Sequence, residues 1–230
     1  MSEFKGQDFG DDSLDLHPEL YDEVQFQAVD EHIAKFFGEC SGVFHELISP
    51  DIHCDIYIVH AKDQDDRAFF NLITHGTGAH VMNVPDKFAS ADVYRAEFVV
   101  SLPSNWKVDS SVEIDYWPIR LLKVLSRLPI EEDSWLGPYH TVSLPDGFAQ
   151  GTDFTGVLIV PALSVSVGAD REEASICELP YGDGDVNFYQ VIPLHQDELD
   201  FAVEHGSIEL LKRFGDQMSY IIDPTRPSIL

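Results

Sequence analysis

Hydrophobic positions along this chain change their spacing several times, and each change marks an element. Leu20, Val24, Ala28, Ile33 and Phe37 share one face at helical spacing. A helix is expected there, with Pro18 suited to its first turn and Gly38 closing it. Its other face carries Glu19, Asp22, Glu23, Asp30 and Glu31 and is expected to be solvated. Between residues 43 and 100 the period drops toward two, which predicts strands at 43–47, 52–60, 69–75 and 94–102. Their short connections favour antiparallel pairing. Residues 76–93 are rich in turn formers and read as a long irregular connection, a common place for function.

Further on, Leu121, Leu122, Leu125 and Leu128 make a helical stripe, so a helix is expected over 117–128, with Pro118 early in it and Pro129 ending it. Strands follow at 139–144, 156–160, 175–179 and 186–192. In the last of these, Val186, Phe188, Gln190 and Ile192 alternate with Asn187, Tyr189 and Val191, giving two faces. Pro193 is expected to end that strand by removing a ladder donor. Leu194, Leu199, Phe201 and Ala202, then Ile208, Leu210, Leu211 and Phe214, return to helical spacing, with Gly206 breaking two short helices. The fold class implied is α+β, a mixed or mostly antiparallel sheet covered by helices. Residues 1–15 read as an acidic flexible arm and 16–230 as a single domain.

Several blocks occur in a telling order: IHCDIYIV (52–59), LITHGTG (72–78), YRAEFVVSLPSNW (94–106), YWPIRLLKVLSRLP (116–129) and NFYQVIPL (187–194) with its acidic helix, then Asp223, Pro224 and Arg226. Together they resemble the Suppressor of fused domain family, in the form of its bacterial single-domain members, over roughly residues 40–228. The resemblance implies the same general fold and a protein-binding module rather than an enzyme. At residues 76–79 the chain reads Gly-Thr-Gly-Ala where the family has a Gly-Met-Ser-like sequence.

Composition adds two constraints. Asp plus Glu number 41 against 14 Lys plus Arg, a formal net charge of −27. Nucleic acid and anionic membranes are therefore poor ligands, whereas a basic protein partner would be attracted and steered. The same charge also serves solubility or adaptation to a salt-rich cytoplasm. No apolar run is long enough to span a bilayer and the first residues lack a signal-peptide pattern, so a cytoplasmic protein is expected. Cys40, Cys54 and Cys177 lack metal-site or disulfide spacing and are expected to be reduced and mostly buried.

Candidate chemistry is sparse. His53 and Asp55 would share a strand face as two corners of a metal site, but the ordinary expectation is a half-buried histidine bonded to a carboxylate. Gly76 and Gly78, between His75 and His80, read as a tight turn and not a phosphate cradle. Trp117 and Arg120 would share a helix face, either as a cation–π clamp for a partner or as internal packing.

These features support a non-enzymatic protein-binding module with no cofactor or metal; the resemblance implies a bacterial immunity protein that neutralises a toxin, and the charge points to a basic, nucleic-acid-targeting one. The partner-contact candidates are His80, Met82, Asp86, Asp92, Trp117 and Arg120. Two alternatives remain: a metal-dependent hydrolase using His53, Asp55, His75 and His140, and an intracellular scaffold recruiting its partner through the acidic face of residues 19–31. Deleting residues 1–38 should separate the scaffold from a strand-edge binder.

Overall fold

The computed structural model describes residues 17–62, 66–162, 176–182 and 184–230. The acidic arm therefore lies outside the described residues, as does Ser175 at the start of one expected strand. In chain order the elements are α1 (Glu23–Phe36), β1 (Cys40–Phe44), β2 (Asp55–Lys62), β3 (Ala68–His75), β4 (Arg95–Pro103), α2 (Glu113–Glu131), β5 (Thr141–Ser143), β6 (Gly156–Pro161), β7 (Glu178–Leu179), β8 (Val186–Leu194), α3 (Gln196–His205) and α4 (Ser207–Phe214). The strands form one sheet in the order β1-β2-β3-β4-β8-β6-β5, with β7 also on β8. Every pair is antiparallel except β4–β8, which is parallel from Arg95↔Val186 to Val99↔Gln190. The α+β class and the mixed, mostly antiparallel sheet are as expected. No described helix is long and apolar enough to cross a membrane.

The two faces of β8 explain the layering. Val186 and Phe188 pack with Val29, Ile33 and Phe37 of the α1 region. Ile192 and Leu194 meet Leu199, Ala202, Leu210 and Phe214 of α3 and α4 on the same side. Tyr189 and Val191 point the other way, into a cluster built on Trp117, Leu121, Leu122 and Leu125 of α2. Helices thus cover both faces, and all nine residues of β8 are buried. Pro193 does not end the strand: it sits in the ladder opposite Val157, and β8 runs on to Leu194. Pro129 likewise lies inside α2, which begins at Glu113 and ends at Glu131. Having no N–H, it forgoes one i→i−4 helical bond near the end of α2, and the helix runs only two residues further.

Packing of α1 brings a buried histidine against the sheet. His32 stacks on Phe188 with ring centroids 4.4 Å apart, and its Nε2 lies 3.1 Å from the Ile176 carbonyl. Burial pulls the imidazole down from 6.5 to about 4, the Ile176 carbonyl opposing this and the Lys35 charge adding to it. Between those two values the unfolded chain binds more protons than the folded one, so stability falls as pH drops through the window. Wild type is expected to lose up to about 3 kcal/mol more than His32→Phe between neutral pH and pH 4, read by urea denaturation at each pH.

The connection after β3 is anchored from inside. Thr74 Oγ1 donates to Glu97 Oε2, and Tyr21 Oη (2.6 Å), Gly76 N (2.9 Å) and Gly78 N (3.2 Å) donate to Glu97 Oε1. Glu97 is wholly buried, and desolvation pushes its carboxyl above the usual range, with His75 and the donors pulling it back. Gly76 has φ +124°, and a Cβ there would lie 2.1 Å from the His53 carbonyl oxygen. Gly76→Ala is therefore expected to lower stability by about 2 kcal/mol or more, measured as a shift in denaturation midpoint.

Candidate partner-binding surfaces

Of the six expected contact residues, Met82 and Trp117 are buried and three others are tied into contacts within the chain. Met82 is 5% exposed and sits in the α2 cluster, its N–H on the Tyr94 carbonyl and its Sδ accepting from Leu136 N. Trp117 is fully covered, packed against Trp106 and Phe154. Neither reaches a partner, because the turn-rich segment folds back over the sheet and α2 lays its indole on it. Arg120 does not stack on Trp117. It lies 4.2 Å from the Phe148 ring, donates to the Phe148 carbonyl and pairs with Glu113, so it fastens the 145–150 loop. Asp92 adopts a left-handed conformation (φ 47°), accepts from Asp185 N and ties β4 to the start of β8. His80 bonds Glu19 at 3.0 Å, and only Asp86, at the head of a 3-10 turn (Asp86–Ala91), stands on open surface.

The histidines of the hydrolase alternative are not brought together. His75 is buried, stacked on Tyr57 at 4.6 Å, with Nε2 3.5 Å from Asp30. His140 packs on Trp135 beside β5, at the far edge of the sheet from β2, where burial lowers its pKa. Among the described residues no group of three or more His, Cys, Asp or Glu is placed to hold a metal ion.

His53 joins a polar network instead. Ser49 Oγ lies 2.7 Å from its Nδ1, and its Nε2 is 3.3 Å from Asp55. Asp55 also accepts from Glu46 N and faces His45. A serine, histidine and aspartate in series suggest nucleophilic chemistry, but the Glu46 carboxylate lies 3.3 Å from Ser49 Oγ, where an oxyanion would be repelled. The network instead fixes a loop. Arg127 of α2 grips Glu46 at 2.8 Å and Asp51 at 3.2 Å, and Glu46 accepts from Cys54 N.

Because Glu46 turns inward, the first strand ends at Phe44 instead of continuing through residue 47, and Leu47 and Ile48 are left 94% and 74% exposed. Leu47 falls at the end of the strand expected over 43–47 and Ile48 in no expected element; the Ser49-Pro50-Asp51 turn signal beside them marks the loop. They border β1, which has a strand neighbour on one side only among the described residues. Cys40 and Ser41 of β1 are exposed, so the expectation of buried thiols fails for Cys40. Cys54 is buried, and desolvation pushes its thiol up to about 12. The acidic α1 precedes this edge directly in the chain.

A second constellation holds the C-terminal segment. Arg226 forms a two-pronged pair with Glu198 of α3, both bonds at 2.6 Å, and donates to the Pro193 carbonyl. Glu198 is wholly buried and also accepts from His195 N and Ile229 N. Upstream of this clamp, Ile221 makes a parallel bridge to Ser101 past the point where β8 leaves β4, and Ile222 N bonds the Ser101 carbonyl.

With this geometry in place, comparison identifies the relatives. One chain of a Sufu–Fu complex crystal structure matches with a TM-score of 0.66 at 12% identity, covering 93% of each chain. A SUFU homologue from Neisseria gonorrhoeae matches with a TM-score of 0.61 at 19% identity, covering 91% of this chain and 98% of the other. Drosophila Suppressor of Fused matches with a TM-score of 0.59 at 12% identity, and this chain spans 54% of its length. A Ureaplasma parvum protein is 23% identical over 213 residues, 91% of this chain and 98% of that protein. The sequence profile of Suppressor of fused protein (SUFU) matches residues 50–227, which takes in β2, the Glu97 hub, α2, β8 and the Glu198–Arg226 clamp, and the chain belongs to that family.

Proposed function

We propose that this protein binds other proteins and does no chemistry of its own, and that it acts in the cytoplasm as an immunity protein against a basic toxin domain. The observation that carries this reading is the open β1 edge, bordered by exposed Leu47 and Ile48 and next to an acidic helix. An unpaired edge offers backbone donors and acceptors to an extended segment, and neighbouring apolar side chains add selectivity. The charge of −27 would raise the association rate of a cationic partner and make it salt-dependent. The family is known for protein binding, and the Sufu–Fu complex is an instance in a relative.

The acidic face of α1 is not a detachable scaffold. Val29, Ile33, Phe36 and Phe37 are core residues, so deleting residues 1–38 removes part of the fold and cannot test binding alone.

The test starts from the gene neighbourhood: a toxin domain encoded beside this gene is titrated calorimetrically into the intact chain, and the absence of such a gene removes the immunity reading. Binding is expected to weaken at least tenfold between about 50 mM and about 500 mM salt. The double variant Leu47→Asp, Ile48→Asp should fold normally, since both side chains are exposed, and bind roughly tenfold more weakly. Salt-insensitive binding removes the electrostatic part, and wild-type affinity in the double variant removes the β1 edge.

A further inference from the structure

Three aliphatic side chains stand in solvent where the chain enters α1 and where the segment after β3 folds back: Leu20 is 61% exposed, Val24 66% and Val81 53%. The two stretches lie side by side. His80 bonds the Glu19 carboxylate at 3.0 Å, so Leu20 and Val81 flank one contact, while Tyr21 reaches inward to Glu97. Val24 follows in the first turn of α1.

The charge around them has one sign. Glu19, Asp22, Glu23 and Asp86 are exposed, and neither residues 17–34 nor residues 79–86 include a lysine or arginine. Lys87, the next cation along, is turned onto the Phe88 ring at 4.8 Å. A partner for this surface therefore brings apolar anchors within a cationic rim. The chain itself does not supply one: Glu3, Asp8, Asp11, Asp12 and Asp15 outweigh Lys5 in residues 1–16, and a second copy brings another −27.

The backbone decides the form of that partner. Glu19 N–H donates to the Asp51 carbonyl and the Glu19 carbonyl accepts from His53 N, while the N–H groups of His80 and Met82 are bound to the Thr77 and Tyr94 carbonyls. An extended segment gains no ladder from groups already spent, whereas a helix arrives with its own backbone bonds made. We infer that this surface docks a basic amphipathic helix of a partner protein, its apolar stripe on Leu20, Val24 and Val81 and its lysines or arginines on Glu19, Asp22, Glu23 and Asp86. This docking rests on the protein-binding reading alone and needs neither the β1 edge nor a toxin.

The test titrates the peptide acetyl-KLKKLLKKLAKLKK-amide, whose leucines line one helical face, into the full chain by calorimetry, beside a scrambled peptide of the same composition whose leucines are spread around the helix. Saturable one-to-one binding of the first is expected, about tenfold tighter than that of the second. The triple variant Leu20→Gln, Val24→Gln, Val81→Gln leaves every charge in place and should weaken the amphipathic peptide about tenfold, to the level of the scrambled one. The pair Leu47→Gln, Ile48→Gln should leave its affinity unchanged, which separates this surface from the β1 edge. Equal binding of the two peptides, wild-type affinity in the triple variant, or an equal loss in the pair overturns the inference. A wild-type chain that sediments as a dimer where the triple variant is a monomer overturns it too, by making the occupant a second copy.

Discussion

Arg226→Ala is expected to cost about 3–5 kcal/mol of folding stability. The size follows from what is left behind. Glu198 is wholly buried and receives two of its four contacts from the Arg226 guanidinium. Without Arg226 a desolvated carboxylate remains beneath Phe154 and Phe214, both of which also lie 5.3 Å from the guanidinium. Arg226→Lys keeps the charge but not the fork and should recover only part of the loss. Chemical denaturation of the three proteins checks this. If Arg226→Ala shifted the midpoint no more than an exposed substitution such as Lys212→Ala, the clamp would carry no weight.

Glu97→Ala should be nearly as damaging, at roughly 3 kcal/mol or more, because Gly76 N, Gly78 N, Tyr21 Oη and Thr74 Oγ1 all lose their acceptor in a buried site. Glu97→Gln keeps the shape and one carbonyl acceptor, so it should fall between wild type and alanine. Amide hydrogen exchange gives a second readout. The Gly76 and Gly78 amides should lose protection in Glu97→Ala while those of β8 keep theirs up to the new global stability. Uniform loss across the chain would mean that Glu97 supports the whole sheet and not the loop after β3.

Much of this fold was legible because the two periods are clean. The stripe of Leu121, Leu122 and Leu125 and the alternation about Phe188 located α2 and β8, though both run past the prolines expected to end them. Boundaries moved where a side chain captured backbone. Glu46 is the clearest case, since its bonds to Arg127 and Cys54 N pull the chain out of the sheet after Phe44. The partner surface was less legible. Met82 and Trp117 are apolar or aromatic residues near turns, and spacing alone does not say which of them the chain folds back to cover. Nor could it show that β1 is an edge, since that depends on β4 pairing with a strand some ninety residues later. Glu198 looked like one acid among 41, and only its place in the family blocks hinted that it was special.

That β4–β8 pairing has a kinetic consequence. The antiparallel run β1–β4 and the antiparallel group β5–β8 can each assemble from contacts between near neighbours in sequence. Joining them closes a long loop before the parallel bonds and the Ser101–Ile221 bridge can form. Refolding should therefore slow at this seam, with both halves already protected. Until it closes, β4 and β8 each present a bare hydrophobic edge, and it is there that a stalled chain is most exposed to aggregation.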